Sequence, residues 1–150
     1  MGATHFSGPV VSGDLQQGET NGPNQGFAVL SQSTSITQNS TTAVSSTLYI
    51  PAGSRIVDFN IDVLTAYNSA TSATLTIGTA AAGTQYVGSI DAKTAGRAAI
   101  TYSAAQLAAM NGVTITGTAA ATTPPVVVTV TPVGATSAGY VVVTVLYVQQ

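Results

Sequence analysis

Few side chains in this sequence could do chemistry, and they are far apart. Asp58, Asn60 and Asp62 set oxygen ligands at alternate positions, as a calcium loop begins. The match fails further on, because the sixth position is Val63 where the loop needs glycine, and the twelfth is Ser69 where it needs a bidentate glutamate. On a strand the two carboxylates would stand roughly 13 Å apart at about 3.3 Å per residue. That is wider than the roughly 5 to 9.5 Å between the carboxylates of a glycosidase. The one histidine, His5, has only Asp14 and Glu19 within reach in sequence, so a Ser-His-Asp set has no well-placed base. Gly78, Gly83 and Gly88 have the spacing of a phosphate-cradling loop, but no Gly-Lys-Ser/Thr follows, and they read as turns between strands. No catalytic, cofactor-binding or metal-binding residue is assigned on this reading. A non-enzymatic chain without a cofactor is expected.

These residues sit in an unusual composition. Three Lys and Arg and five Asp and Glu make up 5% of 150 residues, with a net charge of -2, against roughly 25% charged residues in an ordinary globular chain. Arg55, Lys93 and Arg97 are the only basic side chains, too few to neutralise a run of phosphates, so neither nucleic acid nor an anionic membrane is expected as a partner. The surface must be wetted by Ser, Thr, Asn and Gln, which hydrate well but give little repulsion between copies. Such a surface suits a part built into an assembly. There are no cysteines, so neither disulfides nor thiolate metal sites contribute. Mean hydropathy is +0.36, yet Ala and Val are interspersed with Thr and Gly, and no stretch approaches the roughly 18 to 20 apolar residues of a spanning helix. The first eleven residues lack the basic and apolar regions of a signal peptide, so the chain is expected to fold where it is made.

The elements that must position these groups are read from periodicity. Residues 1–26 are rich in Gly, Pro, Gln and Asn, with Phe6, Val10, Val11 and Leu15 as the sizeable apolar residues, and are expected to form an extended N-terminal arm. Residues 27–150 form the second unit, a β-sandwich. Its clearest strand is 55–64, where Val57, Phe59, Ile61 and Val63 alternate with Ile56, Asp58, Asn60 and Asp62, predicting the first set buried and the second wet. Further strands are expected within 27–36, 44–50, 73–77, 85–90, 98–102, 113–116, 126–131 and 140–148. This number of short strands with turn residues between them describes an all-β sandwich or barrel. Ser103 and Gln106 fit a capping box for a short helix over 104–110, with Asn111 and Gly112 to end it, placed to plug one end of the sandwich.

The last strand is apolar on both faces, with Tyr140, Val142, Thr144, Leu146 and Val148 on one and Val141, Val143, Val145 and Tyr147 on the other. A strand in a two-layer sandwich meets the core with one face only. The surplus face, carrying Tyr140, Val142, Leu146 and Val148, is therefore a candidate contact between subunits, or else is covered by the N-terminal arm.

Three motifs carry a family resemblance: Ala-Thr-His-Phe-Ser-Gly-Pro-Val beginning at Ala3, Ile-Pro-Ala-Gly-Ser-Arg-Ile-Val-Asp beginning at Ile50, and Leu-Thr-Ile-Gly-Thr beginning at Leu75. In these the chain resembles the capsid decoration, or cement, proteins of tailed bacteriophages. The resemblance implies a single-domain jelly-roll-like sandwich that assembles as a homodimer or homotrimer. It further implies that the chain binds the shell of the major capsid protein, stabilises it without catalysis, and sits on the outer surface of a virion made in the host cytoplasm. Carried onto this chain, Thr4, His5, Phe6, Pro9, Val10 and Val11 would dock on the capsid or on a sister subunit. The competing reading is a receptor- or glycan-binding β-module of a phage fibre, spike or secreted adhesin. That reading expects exposed aromatic residues gathered at one end, around Tyr67, Tyr86 or Tyr102.

Overall fold

The computed structural model describes residues 28–38, 40–51, 54–111 and 125–149. Eight strands and one helix follow in the order β1 (Val29–Thr37), β2 (Val44–Leu48), β3 (Ser54–Thr65), β4 (Ser72–Gly78), β5 (Val87–Asp91), β6 (Gly96–Arg97), α1 (Ala104–Asn111), β7 (Val126–Val133) and β8 (Tyr140–Gln149). They form two antiparallel sheets, β1-β8-β3-β6 and β2-β7-β4-β5. Strand one pairs with eight, two with seven, three with six and four with five. This is the pairing of one long hairpin rolled over on itself. The rolled hairpin is closed by β3 with β8 and β4 with β7, which gives a jelly roll. The expected all-β sandwich is the fold.

Between the sheets lies a continuous core to which β3 gives Phe59, Ile61 and Val63, β4 gives Leu75 and Ile77, β7 gives Val126, Val128 and Val130, and β8 gives Val141, Val143 and Val145. The β-branched residues at period two stand on the inner faces, as the pleat requires. Tyr67 and Tyr86 complete this core at 1% and 2% exposure. The Tyr86 ring lies 6.1 Å from that of Phe59. The aromatic cluster expected at one end of the sandwich is thus core packing for two of its three members.

Strand β3 departs from simple alternation. Ile56 pairs with Tyr147 and Phe59 with Val145, so three steps on β3 face two on β8, with a register shift between Ile56 and Asp58. The extra residue is a β-bulge, and it inverts the faces ahead of it. Ile56, expected on the wet face, is 2% exposed, whereas Val57, expected in the core, is 44% exposed. Beyond the bulge Phe59, Ile61 and Val63 point inward as expected.

The strand expected over 98–102 is not there. Its pairing role falls to β6, two residues opposite Asp62 and Val63. The backbone then follows the edge of β3, with Ala98 N–H donating to Ile61 O at 2.9 Å and the Tyr102 hydroxyl reaching the Phe59 N–H at 3.2 Å. The expected strand at 113–116 lies outside the described residues. Helix α1 begins as the capping box predicts, Gln106 N–H to Ser103 Oγ at 3.2 Å and Ser103 N–H to Gln106 Oε1 at 2.9 Å. It packs against β3 with Met110 buried, and Gln106 Nε2 donates to Thr84 O at 3.2 Å. It covers the side of the sandwich that the short β6 leaves open, where a plug at one end was expected.

Candidate functional site

Of the two outer faces, the chain covers part of one itself, leaving Ser45, Thr47 and Val133 exposed. On the β2-β7-β4-β5 sheet, Val127 and Thr129 point away from the core yet are 8% and 2% exposed. The β4–β5 connection folds over them, Ala82 N–H donating to Thr129 Oγ1 at 2.9 Å while Ser45 Oγ shares a 2.9 Å hydrogen bond with the same hydroxyl. Ala82 takes a left-handed φ of 57° in that turn. The connection lies so close to the end of β4 that a Cβ on Gly78 would stand 2.5 Å from the Gly83 backbone. Glycine at 78 and 83 serves this close approach, in keeping with turn residues and not with a phosphate loop.

The other outer face, on β1-β8-β3-β6, has no such cover among the described residues. Register places Val29, Ser31, Ser33, Ser35 and Thr37 of β1 beside Val148, Leu146, Thr144, Val142 and Tyr140 of β8. On the far side of β8 come Arg55, Asp58, Asn60, Asp62 and Thr65. Val29, Val57 and Leu64 are 58%, 44% and 61% exposed. Of the residues expected to form an oligomer contact, Tyr140, Val142 and Leu146 are half-buried between flanking strands and Val148 is buried. All four stand in one row of β8 with apolar neighbours at both ends. A polar belt crosses the middle, where Ser33 Oγ and Thr144 Oγ1 are 2.7 Å apart. The expected docking residues Thr4, His5, Phe6, Pro9, Val10 and Val11 lie outside the described residues.

Four of the chain's eight charges, Arg55, Asp58, Asp62 and Arg97, belong to β3 and β6 of this sheet. Arg97 holds Asp62 with a two-pronged contact, Nε to Oδ1 at 2.7 Å and Nη2 to Oδ2 at 2.9 Å. That hydrogen bond, with the charge behind it, draws the Asp62 carboxyl below its ordinary value and raises Arg97. The pair is solvent-exposed, so its weight is in orientation more than stability. Asp58 Oδ1 accepts from the Tyr102 hydroxyl at 2.6 Å and from the Phe59 N–H at 2.8 Å. Burial first, and the bond to Asp58 second, push the Tyr102 hydroxyl well above its ordinary range, so at neutral pH it is a donor. Both carboxylates that could have served an ion or a sugar are engaged in holding the edge of β3. Among the described residues no three His, Cys, Asp or Glu gather as metal ligands.

The Tyr102 contact is testable by itself. In Tyr102→Phe the Phe59 N–H keeps its bond to Asp58, so the loss is one charge-assisted hydrogen bond, about 1 to 2 kcal/mol in a half-buried setting. Amides of residues 98–111 should exchange faster in the variant while those of β4 and β7 keep their protection; uniform loss of protection would contradict a local latch.

Tyr67, expected among exposed aromatic residues, is internal, and its neighbours Asn68 and Ser69 are engaged in hydrogen bonds within the chain. The Tyr67 hydroxyl donates to Ile36 O at 3.0 Å, and Asn68 Oδ1 accepts from Ser137 and Ala138 N–H at 2.9 and 3.0 Å. Ser69 Oγ lies 2.9 Å from Thr136 Oγ1 in the interior. These bonds lace the β3–β4 connection to the β7–β8 connection. Desolvation raises the Tyr67 hydroxyl from 10.0 to about 12. A folded-state value above the unfolded one stabilises the fold fully below pH 10 and loses that contribution as pH rises toward about 12. Alkaline titration followed by tyrosinate absorbance should show Tyr67→Phe removing a component near pH 12; the absence of any change there would refute its burial.

What sequence reasoning missed on this face is Val57 and Leu64. Both fall where β3 shifts register, and a bulge leaves no mark in a period-two pattern.

No protein-family model matches the chain, and no curated protein matches it. Among solved structures it is similar to a chain described as "Cyanophage Pam1 capsid asymmetric unit", with a TM-score of 0.57 and 20% identity over 95% of this chain and 99% of that one. The likeness is one of fold, and it extends over nearly the whole length of both chains.

Proposed function

We propose that this chain is a structural protein of a bacteriophage virion, which decorates the capsid and stabilises it by binding the major capsid protein shell as a homo-oligomer. The observation that carries the reading is the near full-length fold likeness to a chain of a cyanophage capsid asymmetric unit. The scarcity of charge supports it, because a surface without electrostatic repulsion tolerates close neighbours. So does the sheet face that no described residue covers, where half-buried Tyr140, Val142 and Leu146 form an apolar row ending at the buried Val148, with Val29, Val57 and Leu64 exposed around it. In this reading the row meets another subunit, and the N-terminal segment containing Thr4, His5, Phe6, Pro9, Val10 and Val11 meets the shell on its outer surface. Many modest contacts repeated over a closed shell give firm attachment without a concentrated energetic centre.

Imaging of particles produced from the genome that carries this sequence tests the proposal directly, and density for this fold outside the shell is the expected result. Deleting residues 1–12 should lower binding to shells that lack the protein by roughly tenfold or more, since each 1.4 kcal/mol lost per copy is about tenfold. Unchanged decoration by the truncated chain would remove the docking assignment, and particles without this chain would remove the whole reading.

A further inference from the structure

Among the described residues strand β1 forms an edge of its sheet, and edges in soluble proteins are normally kept short, charged, bulged or interrupted by proline, because their free backbone groups pair with other chains. The other edges conform. Strand β6 has two residues beside the Asp62–Arg97 pair, β5 has five residues and an irregular register, and β2 has five residues. Strand β1 has none of these devices. It runs nine residues, Val-Leu-Ser-Gln-Ser-Thr-Ser-Ile-Thr, with no charge and no proline, and its register with β8 is unbroken.

Its free hydrogen-bonding row can be assigned. Gln38 N–H donates to Gly139 O at 3.0 Å, one step beyond the Thr37–Tyr140 pair. Hydrogen-bonded and non-bonded pairs alternate in an antiparallel ladder, so the even residues turn their backbone groups to β8. The odd residues Val29, Ser31, Ser33, Ser35 and Thr37 turn theirs outward. The inner side of the same edge is also incompletely sealed. Leu30 is 40% exposed, and Gln32 and Thr34 are half-buried.

We infer that the free edge of β1 pairs antiparallel with β1 of a second copy about a two-fold axis at Ser33. The strand is chemically self-complementary in this register. Ser31 meets Ser35, Gln32 meets Thr34 and Leu30 meets Ile36, leaving only Val29 and Thr37 as a mixed pair, and no charge faces its own image. The odd residues that point outward meet odd residues, so the free donors and acceptors of both edges fall opposite one another, as an isologous contact requires. The result is one eight-stranded sheet across two copies, with both β8 rows on the same face. This contact is separate from the capsid reading and holds or fails in the isolated protein.

The absence of cysteine allows a direct test on the full chain. Ser33→Cys on the axis should give a covalent dimer on oxidation or with the shortest thiol crosslinker, because directly opposed residues have Cα atoms about 5.5 Å apart, inside the roughly 4.4 to 6.8 Å span of a disulfide. Ser35→Cys should not link to itself, since its two copies stand roughly 13 Å apart, but should link to Ser31→Cys in a mixture. Ser33→Pro removes one outward N–H and leaves the β8 ladder intact, so light scattering should show loss of the dimer with unchanged circular dichroism. A monomeric parent protein in which Ser33→Cys stays unlinked overturns the inference. So does a dimer that survives Ser33→Pro yet dissolves in Leu146→Lys, which would assign the contact to the β8 row. Cross-linking that appears only after residues 1–27 are deleted would show the edge filled by the chain's own N-terminal segment, and also overturns it.

Discussion

Phe59→Ala is expected to destabilise the fold by about 3 to 5 kcal/mol, the usual cost of removing a buried aromatic ring. Phe59 is 2% exposed and its ring packs against Tyr86. It is also the first inward residue after the β3 bulge, with its backbone N–H held by Asp58 and Tyr102. The cavity has no easy way to collapse, because the strand on each side is fixed, by β8 along one edge and by the 98–102 segment along the other. A cost near the upper end is therefore expected, a large part of the roughly 5 to 15 kcal/mol that holds a domain folded. Denaturant titration gives the value, and a loss below about 1 kcal/mol would mean that the ring is not in the core. Val57→Ala, two positions earlier, should cost within about 0.5 kcal/mol in the isolated chain because the bulge has turned it outward. Simple alternation along β3 predicts these two residues to be equivalent, so the contrast measures the bulge itself.

Gly139→Ala is the second large effect and arises from too little space. A Cβ at this position would lie 2.3 Å from Tyr67 Cδ1 and 2.5 Å from Cγ. The ring has nowhere to go, since Tyr67 is 1% exposed, its hydroxyl is bound to Ile36 O and its N–H to Ala92 O. Gly139 O also accepts from Gln38, so the backbone is held as well. Overpacking of this kind costs about 1 to 3 kcal/mol and occasionally more, and the upper part of that range is expected. A double-mutant cycle separates the clash from any intrinsic backbone effect. In a Tyr67→Leu background the same substitution should cost clearly less, a coupling of about 1 kcal/mol or more. Equal costs in both backgrounds would move the explanation from the ring to the backbone of the β7–β8 connection.

The two predictions mark where the sequence could be read and where it could not. Strands β1, β2, β4, β7 and β8 stand within a few residues of where β-branched and apolar residues recur at period two. The pleat alone produces that pattern, whatever each strand pairs with. The capping box at Ser103 and Gln106 was legible for the same reason, because both of its bonds close within four residues. Tyr67 misled, since an aromatic residue followed by Asn68 and Ser69 in a connection reads as exposed, and Tyr86 misled because period two does not say which face of its strand is inner. Tyr67 is buried because connections distant in sequence, 66–71 and 134–139, are laced together around it, whereas Tyr86, just ahead of β5, is held by its N–H to Ile77 O and packs its ring near Phe59. Residues 98–102 have strand composition but serve as a cover for β3, because β6 ends after two residues and the Tyr102 hydroxyl satisfies an edge amide that a strand would otherwise have met.

By itself the sequence determined the class of fold, the apolar surplus on β8 and the poverty of charge, each of which follows from composition or from the spacing of side chains along one strand. Only the tertiary structure decided that Ile56 is inside and Val57 outside, that the β4–β5 connection covers part of one outer face while no described residue covers the other, and which residues of β1 turn their backbone groups away from β8. Those outcomes depend on register between strands distant in sequence, and one residue of slip on β3 exchanges a buried side chain for an exposed one.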